Sequence, residues 1–415
     1  MRFRVVGMTV LLAAITYLDR VCIGVLAPDI RKDLGLSLEQ MSWVFSAFTI
    51  AYGVFEIPTA AWADRIGARG VVTRIVGWWS TFTIATSVAW NYLSLLVIRF
   101  LFGVGEAGAW PCVGRVFSRW VPANERGKVQ GFFFAGAHLS GAATPLLVVW
   151  LAGMMHWRYV FVVFGIVGLL WAALWYWWFR DEPREKAGTS PEEVEYIERR
   201  RGLAVGHSSH DWKAVFKIPS VWPLCVSHFA NTWGTYFVIS WLPTYLKEVR
   251  GMSTDQMVLF AGLPMIIAAV ADLTGGLTTD ILTKRFGLAV GRAGVAGGSY
   301  VLCAIAMVGA AQAEDPKMAA TLIAVAFGLS MFTIGASFSI CIDLGKANSA
   351  VMTATKNTAG QVGGTLSPLV LAYLVKWYSD WALPLYVQAA LYGAAVVAWA
   401  LIGWQVRNTK LDGQH

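Results

Sequence analysis

The sequence predicts an all-α membrane protein whose twelve transmembrane helices form two pseudo-symmetric six-helix bundles. Three observations predict it: an apolar composition, apolar runs of membrane-spanning length, and basic residues in alternate loops. Of the 415 residues, 57% are hydrophobic and only 14% are charged, and the mean hydropathy is +0.56. An ordinary soluble domain has about a quarter charged residues. This chain is long enough to bury a large core, but it lacks the charge for a water-facing surface.

Apolar runs of about 20 residues, which span a hydrocarbon core about 30 Å thick, recur along the chain. The first run starts at residue 5 and contains Asp19 and Arg20. It is therefore interpreted as a span and not as a cleavable signal peptide. We predict spans at residues 5–27, 41–63, 71–89, 91–113, 127–153, 157–179, 220–247, 256–279, 290–311, 318–342, 349–375 and 382–405.

A polar stretch at residues 180–219 separates the two sets of spans. It carries Glu192, Glu193 and a run of arginines at 199–201, so it is too charged to cross a membrane. The predicted organisation is an N-terminal six-helix bundle, a cytoplasmic linker with a short surface helix, and a C-terminal six-helix bundle. Their bounds are 1–179, 180–219 and 220–415.

The distribution of basic residues predicts the orientation. Loops that face the cytoplasm are enriched in Lys and Arg. The enriched loops alternate along the chain, and their basic residues include Arg65, Arg69, Arg74, Arg119, Arg126, Lys128, Lys284, Arg285 and Arg292. We therefore predict that both termini lie in the cytoplasm. The predicted location is the bacterial inner (plasma) membrane, which the chain crosses several times. The net charge of +8 is then explained by the basic residues of the cytoplasmic loops, and we do not expect nucleic acid as a partner.

The five cysteines are scattered, mostly within apolar segments, and form no CxxC pair or Cys/His cluster. This pattern argues against a disulfide framework and a zinc site. We expect no metal and no cofactor.

The two halves share a loop pattern. After the second span stands Asp64-Arg65-x-Gly67-x-Arg69, and after the second span of the later half stands Asp280, then Lys284-Arg285-Phe286-Gly287. Asp64 and Asp280 are 216 residues apart, about half of the chain. Halves related by an axis along the membrane normal would give this repeat. The alternative is that acidic and basic residues simply flank any short loop.

The first of these loops resembles the signature loop of the major facilitator superfamily, with Ala60 where the family usually has Gly. Within it, the chain resembles the anion:cation symporter branch, which includes bacterial sugar-acid and other organic-anion:proton symporters. The motifs that carry the resemblance are Tyr17-Leu18-Asp19-Arg20, Phe55-Glu56-Ile57-Pro58, Arg99-x6-Glu106-Ala107-Gly108, Glu125-Arg126, Trp157-Arg158-x-x-Phe161, Asp181-x-Pro183 and Trp241-Leu242-Pro243-Thr244-Tyr245-Leu246.

The resemblance implies the major facilitator fold and secondary active transport by alternating access. It implies import of a small organic anion, a sugar acid or another carboxylate, by proton symport, with sodium not excluded as the coupling ion. We expect a monomer in the lipid bilayer.

Four charged residues stand inside predicted spans, where each costs a few kcal/mol and marks a transport pathway by default. Asp19 and Arg20 are neighbours on one helix and point about 100° apart, so at least one needs a partner elsewhere. The alternative to a transport role is an interhelical salt bridge. Arg99 and Glu106 are seven residues apart, on one helix face, separated by about 10 Å. Arg99 has the further alternative of extending to the membrane interface.

The resemblance assigns roles to these four residues. Arg20 and Arg99 bind the substrate carboxylate, and Asp19 and Glu106 carry protons. The chemistry agrees, because guanidinium is a planar fork that matches a carboxylate. We expect protonation of the acids to free positive charge for an incoming anion.

Six uncharged or weakly basic side chains are predicted to contact the substrate as well. Asn357 and Gln361 lie one helical turn apart on one face, with helix–helix hydrogen bonding as the alternative. For His138 the alternative is a packed polar residue. The full set is Tyr52, His138, Asn231, Tyr236, Asn357 and Gln361. Glu56 and Asp272 receive no role, and Lys356 is either a further anion contact or a cytoplasm-facing anchor.

A second set of charges is predicted to form a cytoplasmic gate, which holds helix ends together in one conformation and releases them in another. Its members are Asp64, Arg65, Arg69, Glu125, Arg126, Asp280 and Arg285.

Other functions fit less well. An enzyme would need a Ser/His/Asp order, an HExxH, a GxGxxG after a strand or a metal cluster, and the sequence shows none of them. An ion channel would favour pore-lining repeats over acid–base pairs within the membrane. The closest alternative is a drug or organic-solute proton antiporter of the same superfamily, but Gly136, Gly141 and Pro145 match its motif only loosely.

Overall fold

The N-terminal part of the protein is a bundle of long helices. The computed structural model describes residues 1–122, 125–200, 215–345 and 349–411, and the described chain contains no strand. Contacts divide it into two compact units, Met1–Ser208 and Ser209–His415. The helices of the first unit are α1 (Arg2–Val25), α2 (Ala27–Leu34), α3 (Leu38–Ile66), α4 (Ala68–Thr86), α5 (Tyr92–Glu106), α6 (Ala109–Trp120), α7 (Arg126–Met154), α8 (Trp157–Trp178) and the short α9 (Pro191–Arg199).

The second unit repeats this architecture. Its helices are α10 (Val221–Ser240), α11 (Thr254–Phe286), α12 (Val295–Gln312), α13 (Pro316–Phe332), α14 (Ile334–Gly345), α15 (Ser349–Tyr378) and α16 (Ala382–Leu411). A single turn at Leu242–Thr244 and a π-helical turn at Tyr245–Val249 extend α10, and a π-helical turn at Ala289–Gly294 precedes α12.

Most of the predicted spans correspond to long apolar helices. Among the described residues, nine helical segments are long and apolar enough to cross a membrane. The other three predicted spans correspond to α3, α4 and α10. The fourth span, Tyr92–Trp120, is divided because Gly108 adopts a left-handed conformation between α5 and α6, with φ +85°. The fourth span of the second unit is likewise divided, into α13 and α14.

The two units pair their spans in the same way. In the first unit the first span packs on the fifth (α1–α7), the second on the fourth (α3–α5), and the third on the sixth (α4–α8). The second unit gives the equivalent pairs: α10 with α15, α11 with α13, and α12 with α16. The predicted pseudo-symmetric six-plus-six architecture is confirmed by these pairings.

The shared loop motif has a structural explanation in both units. Gly67 and Gly287, at equivalent places in the repeat, end the second span with φ values of +92° and +82°, which favour glycine. In the first unit the Asp181 carboxylate accepts hydrogen bonds from the backbone amides of Ala68 (2.6 Å) and Arg69 (3.1 Å). A carboxylate there satisfies amides that the first turn of α4 leaves unpaired. The Asp181-x-Pro183 motif therefore fastens the end of α8 to the start of α4.

Candidate functional site

The four charges predicted inside the membrane come together within the first unit. Asp19, Arg99 and Glu106 are 1%, 3% and 0% exposed, and the side chain of Arg20 is 11% exposed. They lie on α1 and α5, so the helices that position them are the first span and the first half of the fourth. We call Asp19, Arg20, Arg99 and Glu106 the charge cluster.

An ion pair between α1 and α5 is the centre of this cluster. The Nε of Arg20 donates to Oε1 of Glu106, and Nη2 of Arg20 is in ion-pair contact with the same oxygen. In this conformation Arg20 therefore forms an interhelical salt bridge, which was the predicted alternative to a transport role. A guanidinium–carboxylate pair is also the contact that a substrate carboxylate would make in the place of Glu106.

Asp19 and Arg99 complete the cluster. The Asp19 carboxylate faces Trp79 and Thr83 of α4 and interacts electrostatically with Arg99 and Glu106. The guanidinium carbon of Arg99 lies 4.1 Å from the centroid of the Phe102 ring. Because this side chain is buried, the alternative that Arg99 extends to the membrane interface is wrong. Two carboxylates and two guanidiniums give the cluster a formal charge of zero.

Aromatic rings surround the two arginines. The guanidinium of Arg20 lies over Tyr52 at 5.1 Å, Phe48 at 5.2 Å and Trp110 at 5.8 Å. Phe48 is also 5.6 Å from the guanidinium of Arg99. Rings of this kind stabilise a cation through the ring quadrupole and leave its hydrogen-bond donors available. Phe48 and Tyr52 are one turn apart on α3 and therefore share a helix face. Because Tyr52 was predicted as a site residue, Phe48 could have been predicted from this spacing, but it was not.

The remaining residues predicted to bind substrate fall into two groups. In the first unit, Tyr52 contacts Arg20, and the Nε2 atom of His138 lies 3.4 Å from the hydroxyl of Tyr17. Tyr17 in turn packs against Trp110, with ring centroids 6.4 Å apart. His138 is thus connected to the charge cluster through two aromatic rings.

The second group lies in the second unit, around α15. The Asn231 amide donates to the carbonyl of Ser330 at 3.0 Å, so in this conformation it joins α10 to α13. Tyr236 is buried against Gly364 of α15. Asn357 and Gln361, one turn apart on α15, are both half-buried.

Lys356, for which two alternative roles were predicted, is fully buried in the second unit. Its Nζ donates to the Ser337 hydroxyl at 3.2 Å and lies 3.7 Å from the centroid of the Phe338 ring. Cys341, Cys225 and His228 are the titratable groups with which it interacts. His228 was not among the residues predicted from the sequence.

The predicted gate residues of the first unit contact backbone and linker groups. The Arg69 Nε donates to the Tyr176 carbonyl at 2.8 Å, and Arg126 donates to the carbonyls of Ser118 and Val121. Glu125 accepts from Arg2 at 3.2 Å and from the hydroxyl of Tyr196 on α9 at 2.9 Å. The side chains of Asp64 and Arg65 lie outside the described residues.

In the second unit, the predicted gate residue Asp280 pairs with an arginine that was not among the predicted gate residues. Asp280 pairs with Arg292 at 2.7 Å, and Arg292 also lies 3.5 Å from Asp343 of α14. Arg285 is exposed and forms no ion pair among the described residues. Arg292 and Asp343 were missed because the loop repeat pointed to the adjacent Lys284-Arg285 motif.

Comparisons with known proteins agree with this architecture. The family model of the Major Facilitator Superfamily matches residues 9–368. The chain is 32% identical over 405 residues to a probable sulfoacetate transporter of Cupriavidus necator, covering 96% of this chain and 93% of the relative. It is 29% identical over 413 residues to a D-galactonate transporter of Escherichia coli, covering 95% and 94%.

A solved structure gives the same fold. A bacterial homologue of the human lysosomal transporter Spinster, in an inward-facing and unoccupied conformation, superposes with a TM-score of 0.77 at 20% identity. The match covers 98% of this chain and 97% of that one. On the family match and the curated relatives together, the chain belongs to the Major Facilitator Superfamily and is a multi-pass membrane transporter, as its relatives are.

Proposed function

We propose that this protein imports a small organic anion, a sugar acid or another carboxylate, together with protons, by alternating access across the bacterial inner membrane. The observation that carries the proposal is the buried ion pair between Arg20 and Glu106, beside Asp19 and Arg99. The names of the relatives, transporters of sulfoacetate and D-galactonate, support an organic anion as the substrate class.

The coupling follows from charge balance in a buried site. The charge cluster is formally neutral, so a bare anion would bring an uncompensated charge into a medium of low dielectric, at a cost of several kcal/mol. A proton on Glu106 releases Arg20, and the substrate carboxylate takes the place of the Glu106 carboxylate. Anion and proton together leave the charge unchanged, so the two bind best as a pair.

Charge balance also sets the order in which the substrate and the proton are released. When the substrate leaves Arg20, the guanidinium is again without an anionic partner, and Glu106 lowers the free energy by losing its proton and restoring the ion pair. Asp19, next to Arg99, is the second acid available for a proton. Tyr52 and His138 are proposed to hold the polar part of the substrate beside the cluster.

Substitution of Glu106 by Gln tests this mechanism. The amide retains the shape of the side chain but cannot exchange a proton, so accumulation driven by a pH gradient should be abolished while counterflow exchange partly survives. Uptake is measured in proteoliposomes with an imposed pH gradient and a panel of carboxylates, neutral analogues and a cationic drug. Glu314→Gln, at an exposed loop acid, is the matched control and should transport like the wild type.

Two results would overturn the proposal. Accumulation of an anion against its gradient by the Glu106→Gln variant would remove Glu106 from the coupling mechanism. Wild-type protein that takes up no anion of the panel, and instead exports the cationic drug in exchange for protons, would favour the antiporter alternative.

A further inference from the structure

Three basic side chains of the first unit collect at the end of α8, just after the last turn of this apolar span. They are Arg69, Arg180 and Lys186, and each is half-buried. In the part of the chain that the structure describes, no acidic side chain forms an ion pair with any of them. We call these three residues the basic patch.

Aromatic rings of α8 hold two of these cations. The Lys186 ammonium lies 4.6 Å from the centroid of the Trp178 ring, and the guanidinium carbon of Arg69 lies 4.4 Å from the centroid of the Tyr176 ring. A ring stabilises a cation through its quadrupole but does not neutralise its charge or occupy its hydrogen-bond donors. Both cations therefore keep the capacity to bind an anion.

Arg180 and Lys186 lie close enough to repel each other. The Nη1 of Arg180 donates to the carbonyls of Phe179 (2.7 Å) and Trp177 (3.0 Å), which fixes the guanidinium at the end of α8. Burial first, and repulsion from Arg180 second, lower the pKa of the Lys186 ammonium from its ordinary value of 10.5. An anion between the two cations would remove this repulsion.

The acidic residues of the same segment do not compensate the basic patch. Asp181 accepts hydrogen bonds from backbone amides at the start of α4, and Glu182 pairs with Arg119 at 2.9 Å. Glu185 is exposed and forms no ion pair with a described residue. The positive charges of the patch are therefore available to a partner from outside the chain.

The position of the patch favours a lipid over a soluble anion. Because α8 is long and apolar enough to cross a membrane, its last turn lies where the hydrocarbon core meets the headgroups. Tyr176, Trp177 and Trp178 are consecutive and point about 100° apart around the helix, so Trp177 faces outward between the other two rings. It is 72% exposed. A lipid can cover this ring with an acyl chain while its headgroup reaches the cations, whereas a free phosphate would leave the ring uncovered.

We propose that the basic patch is a binding site for the phosphate headgroup of an anionic phospholipid whose acyl chain packs on Trp177. The phosphate oxygens accept charge-assisted hydrogen bonds from Lys186 and Arg180. Arg69, at the start of α4, lies on the other side of Trp177, so the bound lipid contacts both α4 and α8. The site is separate from the charge cluster and does not depend on which solute is transported.

The test counts the lipids that bind to the full-length protein in detergent. Native mass spectrometry follows titrations with phosphatidylglycerol and with phosphatidylcholine of the same acyl chains. Lys186→Gln and Arg180→Gln each remove one charge of the patch, and Lys186→Arg retains it. Arg184→Gln is the matched control, because Arg184 is exposed in the same segment but pairs with Glu198. A competition with glycerol 3-phosphate measures whether the headgroup alone occupies the site.

We expect the wild type to bind phosphatidylglycerol more tightly than phosphatidylcholine. Lys186→Gln should weaken phosphatidylglycerol binding by roughly fivefold, the contribution of one basic side chain at an anionic membrane surface, and Lys186→Arg should restore it. Phosphatidylcholine binding by every variant, and phosphatidylglycerol binding by Arg184→Gln, should change by less than about twofold. Arg180→Gln should act like Lys186→Gln. If its thermal midpoint falls because the α8 carbonyls lose their donor, the two Lys186 variants decide the question.

Three results would overturn the inference. Equal affinity of the wild type for the two lipids would show that the patch does not recognise an anionic headgroup. An equal loss of phosphatidylglycerol binding in Lys186→Gln and Arg184→Gln would indicate a general attraction to positive charge and no site at the patch. Displacement of phosphatidylglycerol by glycerol 3-phosphate would identify a soluble phosphate ester as the ligand.

Discussion

At the scale of single residues, four buried charges come together between α1 and α5, although only two of them are adjacent in the sequence. Asp19, Arg20, Arg99 and Glu106 were recognisable because charge inside an apolar run is costly. That Arg20 pairs with Glu106, and that Arg99 lies against Phe102, depends on how α1, α3 and α5 pack, and contacts between helices leave no pattern along the chain. Lys356 was visible as a charge in a span, but its contacts with the Ser337 hydroxyl and the Phe338 ring were not.

A carboxylate outside the membrane gives a prediction for pH dependence. Glu193 on α9 accepts hydrogen bonds from the Met1 amino group (2.7 Å) and the Arg2 amide (2.9 Å). Partial burial raises the pKa of the Glu193 carboxyl, but these hydrogen bonds outweigh burial, so its pKa lies below the ordinary value of 4.5. A lowered pKa means that its contribution to α9 docking is complete above pH 4.5 and is lost as the pH falls through the lower, folded-state pKa.

Hydrogen–deuterium exchange of the α9 amides, corrected for the intrinsic rate at each pH, measures this docking. Protection should be constant from about pH 7 to about pH 5 and should fall at lower pH. Glu193→Gln should weaken protection and remove its pH dependence, whereas Glu192→Gln, at an exposed position one residue earlier, should behave as the wild type. Protection that persists unchanged to about pH 3 would contradict the assignment.

At the scale of helices, pairing within each unit depends on small residues at the contacts. Gly103 of α5 lies so close to α3 that a Cβ atom would be 2.4 Å from the Phe48 carbonyl oxygen. Glycines permit the close approach of helices in membrane proteins in general. The sequence did not predict which glycine contacts which helix. A sequence shows which face of a helix is buried only when the opposite face is clearly polar, and α3 and α5 are apolar on most sides.

Gly103→Ala should therefore destabilise the protein by about 1–3 kcal/mol, the usual cost of overpacking a close contact. Thermal unfolding of the purified protein measures the change, which should appear as a lowered midpoint. Gly77→Ala is the control, since a Cβ atom there meets nothing within 4 Å. It should be neutral or stabilise α4 by up to about 1 kcal/mol, because Ala has the higher helix propensity. Equal midpoints for the two variants would show that α3 and α5 are not in close contact at Gly103.

At the scale of the whole molecule, the sequence predicted the architecture well because the architecture depends on long apolar runs and on a repeated loop motif. Apolar runs give the spans, and the loop repeat gives the equivalence of Gly67 and Gly287. The division of the fourth span at Gly108 was not predicted. Gly103, Gly105 and Gly108 lie close together, and the sequence does not show that Gly108 is the one with a left-handed backbone.

The orientation in the membrane is tested by cysteine labelling in intact cells. After removal of the five native cysteines, single cysteines at the exposed positions Ser37 and Glu314 should react with a membrane-impermeant maleimide. Cysteines at Glu185 and Lys284, in loops predicted to be cytoplasmic, should react only after permeabilisation. Labelling of Glu185→Cys in intact cells would reverse the predicted orientation.

The division of the fourth span has a consequence for the strength of substrate binding. Because α5 ends at Glu106, the partial negative charge of a helix C-terminus, about half an elementary charge, lies at the residue whose carboxylate pairs with Arg20. In the proposed mechanism, this dipole still attracts the Arg20 guanidinium when Glu106 is protonated, so an arriving anion must compete with a fractional negative charge for that guanidinium. We therefore expect a moderate affinity, which would favour release of the substrate on the far side of the membrane.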